Sequence, residues 1–204
     1  MKLKQLVVAV SLSLGLVACG GGGSSSSSSS DSSYDFKVTA VDGYLNNAIV
    51  TATCGTQTFT GVTDENGEVQ LDTNGIDSKD CSVVITANPD GSTTDMDTGE
   101  TYAAGELYLL SPAGQSGNLI ASPFTTMVSL LLERSAGSIN LATAIQQIAD
   151  QFGVDVSVIT GDFVAAGNVK AALKATALLP FLPKTAAEFA QVAASASAHQ
   201  CAIH

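Results

Sequence analysis

The chain has 204 residues, with 8 Lys and Arg against 19 Asp and Glu and a formal net charge of −11. That balance disfavours electrostatic capture of nucleic acid phosphates along with attraction to an anionic lipid surface, and comes close to excluding a polyanion binder. Aromatic residues make up 5% and Trp is absent, which leaves few of the large anchors that dominate sugar stacking and tight protein interfaces.

Residues 1–19 read MKLKQLVVAVSLSLGLVAC: Lys2 and Lys4 give a basic start, and an apolar run follows from Leu6 to Ala18. This is the pattern of a secretory signal peptide over residues 1–18, too short to span a bilayer comfortably. Leu16, Val17, Ala18 and Cys19 resemble the bacterial lipobox, in which a peptidase cuts before a diacylated Cys. The resemblance implies lipidation at Cys19, and Gly20 in place of Asp implies the outer membrane of a Gram-negative cell. Residues 19–33 are then the lipidated Cys and a Gly and Ser linker. The linker cannot bury apolar surface, and as a coil its ends stand roughly 20 Å apart.

From Asp31 to Glu106 lie fourteen of the nineteen acids, with only Lys37 and Lys79 as bases. The same stretch has the period of short strands. Phe36, Val38 and Ala40 alternate with polar neighbours, as do Ala48, Val50, Ala52 and Cys54, and again Cys81, Val83, Ile85 and Ala87. Further strands are expected over 56–62, 68–71 and 106–110, with a tight hairpin at Thr63 to Gly67 in which Asn66 and Gly67 take positive φ. Parity puts Cys54 and Cys81 on the inward faces of their strands. In an oxidising compartment they are expected to form a disulfide, whose loop contributes about 3–4 kcal/mol.

Helical spacing takes over after SPAGQSGNLIA at residues 111–121. Ser122 caps a helix that begins with Pro123 and carries Met127, Val128, Leu131 and Leu132. Asn140 caps a second, with Leu141, Ala144, Ile145, Ile148, Ala149 and Phe152 on one stripe and Gly153 as its stop. A third starts after Asn168 and ends before Pro180, and a fourth opens with a Thr185 and Glu188 capping box. The expected fold is therefore α+β in two units. A small antiparallel β-sandwich, Ig-like or prealbumin-like, spans 34–111, a helical bundle spans 119–200, and 201–204 form a tail.

VDGYLNNAIVTA at 41–52 and GVTDENGEVQL at 61–71 resemble the carboxypeptidase regulatory-like and collagen-adhesin B-type β-sandwich domains of bacterial surface proteins. ASPFTTMVSLLLE, ATAIQQIADQFGVD and ITGDFVAAG are similar to the helical segment that follows such a domain in surface lipoproteins of marine γ-proteobacteria. The resemblance implies a stalk, display or adhesion role without catalysis. In some of those domains a first-strand Lys and a late Asn form an isopeptide bond, which directs attention to Lys37 and Asn88.

Asp90, Asp95, Asp97 and Glu100 offer hard oxygen ligands to calcium, without EF-hand spacing. His199, Cys201 and His204 close the chain with soft and borderline ligands. Both His lie in the last six residues, and neither a GxSxG elbow nor a phosphate-binding Gly loop occurs, so no enzyme activity is expected. The expected function is membrane-tethered display or adhesion toward a protein or glycan partner. The alternatives are a periplasm-facing scaffold or assembly subunit binding through its Ala-rich helical half, and a calcium-dependent carbohydrate-binding module.

Overall fold

The computed structural model describes residues 36–200, with side chains described as far as Ser195. The expectations for the signal peptide, Cys19, the Gly and Ser tract, Cys201 and His204 lie outside the described residues, and His199 falls beyond the last described side chain. The fold is α+β, with strands first and helices after.

The strands are β1 (Lys37–Ala40), β2 (Leu45–Asn46), β3 (Ile49–Cys54), β4 (Gln57–Val62), β5 (Glu68–Gln70), β6 (Cys81–Thr86), β7 (Thr93–Asp95), β8 (Thr101–Tyr102), β9 (Tyr108–Ser111) and β10 (Leu119–Ala121). They form a four-stranded sheet in the order β4-β3-β6-β9 and two three-stranded sheets, β10-β1-β5 and β2-β7-β8. All pairs are antiparallel except β1 with β10, which run parallel. In the large sheet Val50 stands opposite Ile85, Ala52 opposite Val83 and Cys54 opposite Cys81. All six are buried, and the two cysteines form the expected disulfide. Period-two burial thus aligns two strands so that one cross-strand pair is the two sulfurs.

The tight hairpin expected at Thr63 to Gly67 is corrected, because β4 and β5 belong to different sheets. This turn carries the chain from one sheet to the other. Asp64 accepts the backbone N–H groups of Asn66 and Glu68, and Thr63 accepts the N–H of Ala48 while donating to the carbonyl of Leu45. Gly67 alone takes positive φ (68°), and a Cβ there would meet the Ala40 carbonyl oxygen at 2.5 Å. The two strands then pack face to face through Gly61, where a Cβ would stand 2.6 Å from Val69 Cγ2.

The helices are α1 (Pro123–Arg134), α2 (Leu141–Phe152), the single turn α3 (Val156–Ile159), α4 (Val169–Leu178) and α5 (Ala186–Gln200), with a 3₁₀ turn at Leu179–Phe181. The capping residues act as expected. Ser122 and Thr125 cap α1 reciprocally, Asn140 and Gly153 (φ 57°) bound α2, and Asn168 accepts the N–H of Ala171. At α5 Thr185 accepts the N–H of Glu188, whereas the Glu188 carboxylate takes the N–H of Lys184, one residue earlier than a capping box requires.

The buried side of α1 differs from expectation. Phe124, Thr125, Thr126, Val128 and Leu130 are buried, while Met127, Leu131 and Leu132 are half-buried. Its first turn is enclosed because the helix touches the sheet on one side, where Thr126 Oγ1 accepts the N–H of Leu110, and other helices on the rest. Phe124 meets the rings of Phe152 and Phe163 edge-on at 5.8 and 5.7 Å, an arrangement that favours aromatic pairs. One apolar core fills the space among the sheets, a second lies among the helices, and Met127 touches both.

Candidate functional site

Acidic side chains gather where the β1–β2 turn, the β7–β8 hairpin and the link into α5 meet. The turn begins at Asp42 and Gly43, and a bridge between Val41 and Tyr44 closes it. A Cβ on Gly43 would stand 2.1 Å from Asp95 Oδ1 and 2.8 Å from the Asp97 Cβ. Only Gly lets the turn lie this close to the hairpin.

Within the hairpin, Asp95 is buried, and its Oδ1 accepts the N–H groups of Asp97 (2.8 Å) and Thr98 (3.2 Å). Asp97 and Glu100 are exposed beside it. Asp42 is 4% exposed, and its Oδ1 is buried without a hydrogen-bond partner. Burial, reinforced by the charges of Asp95, Glu100 and Asp97 and opposed by Lys184, pushes the Asp42 carboxyl up to about 7. The neighbouring Tyr102 phenol is driven above its ordinary range, first by burial and then by Asp42, Glu100 and Asp95. Glu100, Tyr102, Glu106, Lys184 and Glu188 line an adjoining open cleft of about 320 Å³. The chemical capacity of this end is to hold a proton or a positively charged group.

The structure divides the four expected calcium ligands. Asp95, Asp97 and Glu100 belong to this end, while Asp90 is exposed in an earlier turn, where its carboxylate takes the N–H and hydroxyl of Ser92 and is held below its usual range by them. Among the described residues no group of three or more His, Cys, Asp or Glu side chains is arranged to hold a metal ion. Asp42 is not among the residues that sequence reasoning singles out. Its only local signal is the VDG turn, and its burial comes from residues more than fifty positions away.

Lys37 pairs with Glu68 on the neighbouring strand, and the Asn88 backbone N–H is taken by Thr93 Oγ1. Tyr44 ties the turn to the helical part by donating its hydroxyl to Asp162 at 3.1 Å, and burial followed by the Asp162 charge raises that phenol to about 12. Among the described residues no helix is long and apolar enough to cross a membrane. Compared with protein-family models, curated proteins and solved structures, the chain matches none.

Proposed function

We propose that the chain is a lipid-anchored cell-envelope protein with a non-catalytic display, stalk or adhesion role. The observation that carries this reading is the disulfide between Cys54 and Cys81, which suits an oxidising compartment outside the cytoplasm. The signal pattern ending in LVAC at 16–19 supplies the export route and, through Cys19, an anchor to the outer membrane. Close packing of β4 on β5 through Gly61 supports reading the β part as a small Ig-like or prealbumin-like sandwich. Its acidic end and sheet edges would then meet a protein or glycan partner.

Protease shaving of intact cells, beside cells with a permeabilised outer membrane, tests the placement. Digestion of the folded part in intact cells is the expected result. Protection until permeabilisation would replace display with the periplasm-facing scaffold, its partner held through the helical half. Loss of fatty acid labelling in Cys19→Ser is expected in either case, and undiminished labelling would remove the anchor.

A calcium-dependent module is the second reading, favoured by the unpartnered Asp42 beside Asp95, Asp97 and Glu100. Two such carboxylates with carbonyls and water can complete a calcium shell. Millimolar calcium is expected to raise the melting temperature by several degrees over EDTA in the native chain and not in Asp42→Asn. Superimposed curves for the native chain would end this reading.

A further inference from the structure

The three most exposed large apolar side chains among the described residues lie within one short stretch of the helical part: Val169 at 69%, Leu173 at 68% and Phe181 at 84%. Val169 and Leu173 are one helical turn apart on α4, and Ala177 and Pro180, both exposed, continue the stripe to Phe181 in the 3₁₀ turn that extends the helix. The opposite side of α4 is satisfied, because Ala171 and Ala175 are buried in the helical core. The exposed stripe is therefore a second apolar face on a helix whose first is already packed.

Charge is segregated in the same place. Residues 163–187 contain no Asp or Glu and three Lys, at 170, 174 and 184, in a chain whose net charge is −11. Lys170 is exposed beside Val169. Lys174 reaches the end of α2, where it donates to the carbonyls of Phe152 and Gly153. Lys184 turns instead to the acidic end, where it lines the cleft with Glu100, Glu106 and Glu188, so Lys170 is the exposed cation at the margin of the face.

We propose that the Val169, Leu173 and Phe181 face docks on a phospholipid bilayer, its apolar side chains entering the boundary between headgroups and acyl chains and Lys170 at its margin lying among the phosphates. An apolar stripe with lysine at its margin and no acid within it is the composition of an interfacial helix, and lysine stems can run along apolar surface while the ammonium stays wet. A protein partner of ordinary kind would ask for aromatic and Arg anchors, whereas this face is largely aliphatic and flanked by a single exposed lysine at its start. The inference rests on the lipid-anchor reading, since acylation at Cys19 would keep the folded part within reach of a bilayer and make even a weak second contact effective.

The absence of Trp makes the test direct. Phe181→Trp gives a single fluorescent reporter on the proposed face, and Val62→Trp, at a 49% exposed position on β4, gives one on the large sheet. Each lipidated mature protein is reconstituted into vesicles of phosphatidylethanolamine and phosphatidylglycerol, with brominated acyl chains as quencher. Fluorescence of the Phe181→Trp protein is expected to be quenched severalfold more strongly than that of the Val62→Trp protein. Adding Leu173→Asp to the Phe181→Trp protein should reduce its quenching to the Val62→Trp level. Leu173 is exposed, so that variant is expected to melt as the parent does. Equal quenching of the two reporters overturns the proposal, as does self-association in ultracentrifugation that Leu173→Asp abolishes, which would assign the face to a second copy. Mass spectrometry of the N-terminal peptide reads the anchor separately. If Cys19 carries no acyl chain, flotation of the unanchored protein with the same vesicles still decides the docking face, and failure to float overturns it.

Discussion

Replacing Asp42 with Asn is expected to raise the melting temperature by about 10 °C at pH 8 and to leave it unchanged near pH 4. In the folded chain this carboxyl titrates at about 7, raised from 3.8 mainly by burial and then by Asp95, Glu100 and Asp97, with Lys184 opposing. Below the unfolded value the group is protonated in both states and the fold carries no penalty. Between pH 4 and 7 the unfolded chain releases a proton that the folded chain retains, so stability falls as pH rises. Above 7 both states are ionised and the loss is complete. About three pH units at about 1.4 kcal/mol each put that loss near 4 kcal/mol. Asn keeps the shape of the side chain without the charge, so the slope disappears.

The window is clean because other shifted carboxyls act elsewhere. Asp64, Asp77 and Asp90 are held below 3.8 by hydrogen bonds, so whatever they contribute is lost only on acidification below pH 4. Tyr102 faces the same cluster and titrates far above it. Melting curves of both proteins from pH 4 to 8.5 check the expectation, and parallel curves would show that Asp42 imposes no charge penalty. A standing cost of this kind at neutral pH is what functional sites tolerate and cores do not, and it is why this end is the best place to look for a bound cation or cationic partner.

Local chemistry makes much of the fold legible. Inward parity at Val50, Ala52 and Cys54 and at Cys81, Val83 and Ile85 is readable because half-buried strands alternate, and the caps at Ser122, Asn140 and Asn168 are readable because a helix start needs an acceptor. Other elements have no such local signal. Leu119–Ala121 is buried on both faces, so it does not alternate, and its parallel pairing with β1 joins residues some eighty positions apart. β2, β7 and β8 hold two or three residues each, too few to show a period. The segment at Thr63 is recognisable as a turn, but whether it joins two strands of one sheet or crosses between sheets depends on what Gly61 and Gly67 pack against. Asp42 escapes sequence reasoning for the same reason. An Asp before a Gly reads as a solvated turn until the β7–β8 hairpin is folded over it.

The second large effect belongs to the disulfide. Converting Cys54 and Cys81 together to Ala is expected to cost about 3–4 kcal/mol, the loop-closure entropy of a 27-residue separation, and to lower the melting temperature by about 10 °C. The double variant is the informative one, since a single change would leave a buried reactive thiol behind. Position sharpens the expectation. β3 and β6 are the two inner strands of the four-stranded sheet, and the bond closes their pairing at the Cys54 end. The pairing at the other end, where Ile49 faces Thr86, is expected to keep more of its hydrogen-exchange protection than the Cys54 end in the variant. Reduction of the native protein should reproduce the same loss. An unchanged melting temperature in both experiments would mean that the core around Val50, Ala52, Val83 and Ile85 holds the sheet without help. In that case the pair of cysteines would no longer argue for folding outside the cytoplasm, and the proposed route of export would stand on the N-terminal signal alone.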